Sequence, residues 1–490
     1  MTLPRTDDPD DRSGRPSGYR VPLARPKSTA AKARAARPMR PGSSGWGLLG
    51  ILLILLSFAL YAMGEWAWNN HSASGLIVAP VAIAATFLIL RRRIALERRF
   101  DLGGLLLTSI GLRLLFAYPR FGSATDAIVY NREGARLADS FRSLNFTSVD
   151  VGAAASVPGT GSLRYIAGLV HLLTDSNFFG TTLLFGFMAF AGCWLFYRAF
   201  EIAVPDGDHY RYAKLIFLWP SLLYWPSSIG KDSWMLFTIG VASIGAARLL
   251  TRTRGGYILI GLGLVGSSLV RPHVTLLVFV AIGVAFLIGR RDHHRIPGEV
   301  SLGGVTKAIG IVVLLVAGSL LAPATAKFLK VDDLTGDSVT SIIEQTQAQT
   351  NEGGSAFTPT NPNSPIGYPI AVITVLFRPL PGEVTSAQGL LSGAEGGVLI
   401  VIAALSWRRL WESVRRLRTH PYITFAAAYI AMFTYAFAAI ANFGILARER
   451  IQVLPFVFVL LAVPAWRRKK DRDDTDEVTD TPTRAVGRSR

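Results

Sequence analysis

Apolar windows of roughly 15 to 23 residues recur between positions 46 and 466, and short runs of Arg and Lys separate them. A chain written this way has to satisfy its backbone polar groups within hydrocarbon, so the pattern predicts transmembrane helices and excludes a soluble globular fold. Half of the 490 residues are hydrophobic and 17% are charged, with the charges gathered between the apolar windows. The expected fold class is therefore all-α, a polytopic transmembrane helical protein.

The formal net charge of +18 raises the question of nucleic acid. Position answers it: the basic residues cluster at 25–40, 91–99, 248–254, 290–295, 407–418 and 467–470, as loops facing the cytoplasm do. The reading is orientation, with no nucleic-acid partner. Placing spans so that every strongly basic loop falls on one side gives about twelve: 46–63, 75–91, 102–118, 179–201, 214–229, 233–250, 256–270, 273–289, 305–325, 390–406, 422–443 and 451–466. The expected location is the cell membrane, multi-pass, with both termini cytoplasmic. Residues 1–45 read as a disordered basic cytoplasmic tail, 46–466 as the membrane domain and 467–490 as a second disordered tail.

Two long external loops follow from this topology. Residues 119–178 hold Asp126 and an amphipathic stretch, 162–173, that fits a helix lying at the interface. Residues 326–389 contain the apolar stretch 366–376, which reads either as a re-entrant segment or as a span. The single cysteine, Cys193, lies in an apolar run and reads as a packing residue. The sequon at 145–147 is too short to carry weight.

The ionisable residues nearest the spans converge on the external side. They are Asp126, Lys231, Asp232, Arg271, His273, Arg378, Glu383, Arg448, Glu449 and Arg450. Each has an alternative reading. Asp232 suits a helix start, Arg271 before Pro272 suits a tight turn, His273 alone suits a structural role, and Arg448 and Arg450 suit snorkelling to headgroups. Together they suit a phosphate-bearing lipid-linked sugar, because cations stabilise the leaving phosphate and a carboxylate takes a proton from the acceptor hydroxyl. Glu133 lies seven residues beyond Asp126 and shares its face if that region is helical.

Thr125-Asp126, followed by Tyr130, Gly134 and Leu137-Ala138 in a large first external loop, together with a second large loop late in the chain, resembles the GT-C superfamily of integral-membrane glycosyltransferases. The segments 229–235, Arg271-Pro-His273, Phe377-Arg-Pro and Arg448-Glu-Arg450 look more like bacterial envelope-polysaccharide membrane proteins, including polymerase-like ones. The GT-C resemblance implies a GT-C-like fold and an enzyme, a glycosyltransferase dependent on a polyprenyl-phosphate sugar, with Asp126 as catalytic base. Tyr130, Lys231, Asp232, Arg271, His273, Arg378, Arg448 and Arg450 are the expected substrate-binding residues. The partners implied are a polyprenyl-linked sugar donor, a glycan or lipid acceptor, membrane lipids and other envelope-synthesis proteins. Ala127, where the family commonly has a second acid, leaves a divalent metal open as cofactor; no residue is assigned to bind one. The alternatives are a transporter or flippase of a lipid-linked glycan and a non-catalytic component of a polysaccharide-synthesis complex.

Overall fold

The computed structural model describes residues 45–68, 73–121, 125–147, 150–152, 156–288, 318–319, 321–323, 325–326, 336–351 and 355–465. The expected tails and most of the expected span 305–325 lie outside them. Among the described residues the chain is helical throughout, with one isolated antiparallel bridge between Ala356 and Asn442.

Among the described residues, five helices are long and apolar enough to cross a membrane. They are α1 (Gly45–Trp68, through its Gly45–Met63 part), α3 (Leu102–Arg120), α6 (Phe178–Ala203), α9 (Lys231–Leu250) and α14 (Ala387–Leu405). The 19 residues of α3 rise about 28 Å, close to a hydrocarbon core of about 30 Å. Side-chain caps start several of these helices by satisfying a first-turn amide: Asp101 accepts from Gly104 N at 2.8 Å, Asn177 from Gly180 N at 2.7 Å and Ser386 from Gly389 N at 3.1 Å. Apolar side chains such as Leu48, Leu52 and Leu55 on α1 and Leu391, Val398 and Val401 on α14 are exposed, as lipid-facing residues are.

The remaining elements are α2 (Ala73–Leu96), α4 (Thr125–Arg142), α5 (Thr160–Thr174), α7 (His209–Leu218), α8 (Pro220–Tyr224), α10 (Gly256–Ser268) and α11 (Pro272–Ile288). After them come α12 (Gly336–Thr350), α13 (Gly367–Phe377), α15 (Trp407–Arg416), α16 (Pro421–Phe437), α17 (Phe443–Glu449), a 3-10 turn (Arg450–Gln452) and α18 (Leu454–Ala462). The expected span 214–229 is not one helix. It breaks at Trp219, because Pro220 has no N–H to give to the preceding turn, and it ends near Pro226. The stretch 366–376 becomes α13, whose 11 residues rise about 16 Å, roughly half of the core. The amphipathic stretch 162–173 is helical, within α5.

The centre is a layer in which α9 packs between α6 and α10, while α1 packs on α3 and α11 on α16. Small residues permit the α6/α9 contact. A Cβ added to Gly192 would lie 2.5 Å from the Leu236 carbonyl oxygen, and one added to Gly240 would lie 2.7 Å from the Gly192 oxygen. Backbone therefore meets backbone at this crossing, the close approach that small residues allow between membrane helices. The same crossing fixes the end of α9 that carries Lys231 and Asp232.

Candidate functional site

Five segments bring their ends together. The first is α4, whose opening turn carries Asp126 and whose next turn carries Tyr130. Four residues separate the two, so both lie on one face of the helix. That face packs on α5: a Cβ on Gly134 would lie 2.9 Å from Ala167 Cβ, and Leu137 and Ala138 are fully buried. Gly134, Leu137 and Ala138 thus seat the helix, while the Asp126 side chain remains 62% exposed and open to a reactant.

The second segment is the start of α9, and the third is the turn between α10 and α11. There Arg271 N bonds the Ser267 carbonyl at 2.8 Å and Pro272 opens the next helix. The fourth is α17, capped by Asn442, whose Oδ1 accepts from Gly444 N at 2.8 Å and Ile445 N at 3.2 Å. The second long loop holds this cap. Ser355 Oγ donates to Asn442 Oδ1 at 3.1 Å, and Phe443 N donates to the Ser355 carbonyl at 3.0 Å. The fifth is the C-terminal end of α3 with Arg120.

Arg448 is the hub. Its Nε donates to Asp232 Oδ2 at 2.6 Å, and its Nη1 lies 3.6 Å from Asp126 Oδ2. Asp232 is buried and also lies 4.0 Å from Arg271 Nη2. Arg271 in turn grips Glu449 with both terminal nitrogens, Nη2 to Oε1 at 2.6 Å and Nη1 to Oε2, and Gln452 Nε2 donates to Oε2 at 2.6 Å. This fork-on-fork pairing is the strong, directional form of an ion pair, and removing either partner from such a buried pair is costly. The carboxylate of Asp232, then those of Glu449 and Asp126, hold the Arg448 guanidinium in its charged form. Burial, then the Asp126 carboxylate, pushes the Tyr130 hydroxyl up to about 12, so it stays protonated at neutral pH.

Of the expected substrate-binding residues, Tyr130, Lys231, Asp232, Arg271 and Arg448 gather with Asp126. His273 stands half-buried one residue beyond Pro272, its ring 6.2 Å from that of Phe437. Arg378 and Arg450 are engaged elsewhere. Arg378 pairs with Glu383 at 2.7 Å and lies 5.1 Å and 4.9 Å from the ring centres of Phe357 and Phe443. Arg450 is almost fully buried and donates to the carbonyls of Val375, at 3.1 Å, and Arg378. Glu133 turns to Arg132 and Arg136. Asp126 and Asp232 both address Arg448, so a guanidinium stands where a metal bridging these acids would sit. Among the described residues no group of three His, Cys, Asp or Glu is placed to hold a metal.

Three polar groups were not anticipated. Arg120, at the end of α3, donates to Ser228 Oγ at 3.4 Å and lies against Tyr224 and Trp225. Arg113 is buried within α3, with Nη2 donating to Cys193 Sγ at 3.1 Å, which gives that cysteine a polar contact beyond packing. Glu395 is buried within α14 and accepts from Trp219 Nε1 at 2.5 Å and Ser221 N at 2.9 Å. A charge inside an apolar window was the available signal for the last two, since such residues are rare and costly in a bilayer. Comparison of the chain with protein-family models, with curated proteins and with solved structures finds no match.

Proposed function

We propose that the chain is an integral-membrane glycosyltransferase of GT-C-like, roughly twelve-span architecture, with both termini cytoplasmic. It moves a sugar from a polyprenyl-phosphate donor to an envelope glycan or a lipid acceptor on the extracytoplasmic face. The observation that carries this reading is the pairing of an exposed carboxylate, Asp126, with a cation, Arg448, that a second contact, to the buried Asp232, holds in place. Asp126 accepts the proton of the acceptor hydroxyl. The acceptor oxygen bonds to the anomeric carbon, and the bond from that carbon to the phosphate oxygen breaks, with its electron pair leaving on the phosphate. The neighbouring cations stabilise that developing charge.

The test is transfer by the purified chain in vesicles supplied with a lipid-linked sugar and an acceptor. Asp126→Asn should abolish transfer while leaving insertion and folding intact, and undiminished turnover in that variant would remove Asp126 as base. A second reading, transport of a lipid-linked glycan, draws support from Arg113 and Glu395, which are buried charges within spans of the kind that line translocation paths. Movement of the lipid-linked sugar across vesicles with no new glycosidic bond would favour it.

A further inference from the structure

The pairing pattern leaves a question about the leaving phosphate. Arg271 is bound at both terminal nitrogens by Glu449, and Arg448 is bound through Nε by Asp232, so neither is a free counter-ion. Lys231 is in a different state: it is half-buried, and none of the ion pairs among the described residues includes it. Arg120 likewise faces no carboxylate in those pairs. It is only 7% exposed, and its Nε has no hydrogen-bond partner.

Both cations lie at one turn. Residues Pro226-Ser-Ser-Ile-Gly-Lys-Asp232 lead into α9, a helix of 20 residues whose cap position, Gly230, provides no side-chain oxygen to the first-turn amides. Those amides and the helix dipole favour an anion. The turn is held firmly: Ser233 Oγ bonds the Pro226 carbonyl at 2.7 Å and the Ser228 carbonyl at 3.0 Å, and Ser227 Oγ donates to the Leu223 carbonyl at 2.6 Å. Around it stand Ser228 Oγ, reached by Arg120, and Arg448 Nη2. A Cβ built on Gly230 would meet nothing nearer than that nitrogen at 3.9 Å and Ser228 at 4.0 Å. Counted over the whole cluster, the cations Arg120, Lys231, Arg271 and Arg448 exceed the acids Asp126, Asp232 and Glu449 by one.

We infer that the turn from Ser228 to Asp232, with Lys231, Arg120 and Arg448 Nη2 around it, is a phosphate-binding cradle, and that it takes the phosphate of the sugar donor. The second half of this inference rests on the function proposed above; the first half does not. Gly230 is extended, so Ala fits its backbone, and the added methyl would occupy the cradle.

The test is calorimetric binding to the full chain in detergent, using a short-chain prenyl monophosphate, the matching prenyl alcohol and inorganic phosphate. The prenyl phosphate should bind at least tenfold more tightly than the alcohol. Gly230→Ala and Lys231→Gln should each weaken it by at least tenfold, whereas Arg132→Ala, at an exposed α4 position, should leave it unchanged. Equal affinity of inorganic phosphate would identify a site for the free anion, and much weaker inorganic phosphate would identify a lipid phosphate; both results support the cradle. Equal binding of alcohol and phosphate, or wild-type affinity in both cradle variants, overturns it. A chain that binds prenyl phosphate but transfers no sugar would sink the proposed function and leave the cradle standing.

Discussion

Arg448 and Arg450 are two residues apart and do opposite things. Arg448 reaches Asp126 and Asp232 from a partly exposed position and works charge against charge. Arg450 is buried and spends its donors on two backbone carbonyls at the end of α13, tying the second long loop to the core. Between them, Glu449 turns toward Arg271. A cation at membrane depth is therefore no guide to chemistry until its partner is known: carboxylate partners next to open space make a reactive group, and carbonyl partners make a strut.

Experiments can press on this contrast, from the largest expected effect to the smallest. Asp126→Asn should lower transfer by about 100-fold or more, the scale of losing a general base, with the melting temperature in detergent retained. Glu449→Ala should cost about 3–5 kcal/mol of stability, because it leaves Arg271 buried and unpaired; a thermal melt that does not move would show that water reaches the pair. Arg450→Ala should destabilise the chain by about 1–3 kcal/mol through carbonyls left without a donor. It should also reduce protection of residues near 375–379 in hydrogen exchange, with no specific change in the affinity for prenyl phosphate.

The smallest effect concerns pH. A tyrosine hydroxyl ionises near 10 in an unfolded chain, and that of Tyr130 is pushed up to about 12. The folded state thus holds this proton more tightly, so the associated stability is fully present below pH 10 and is lost as pH rises toward 12. Tyr130→Phe should flatten the fall in melting temperature across that window, and a fall identical to that of the wild type would show that Tyr130 is not responsible.

The sequence carried more of the charge geometry than of the helix boundaries. Asp126, Lys231, Asp232, Arg271 and Arg448 could be grouped because each ends or begins an apolar window, and such ends must meet at a membrane surface. Arg378 and Arg450 looked the same by that criterion, but spacing does not say which of two neighbouring side chains turns outward. Arg120 was passed over at the start of the first external loop, although Pro119 before it and the aromatic pair Tyr224-Trp225 elsewhere were visible. Arg113 and Glu395 were missed for a different reason. Attention to one face of the membrane discounts charges within it, and their partners, Cys193 and Trp219, lie 80 and 176 residues away. The break at Trp219–Pro220 was legible in the sequence, where Pro220 and Pro226 interrupt the apolar run of the span 214–229.

The glycine crossing of α6 and α9 has a mechanical meaning. With carbonyl oxygens facing α-carbons at Gly192 and Gly240, α9 has no room to roll about its own axis or to slip along its neighbour. The start of α9 is thus a fixed abutment, and any movement that opens the charged mouth must come from the parts that lean on it, α4 and the loop-tethered α17.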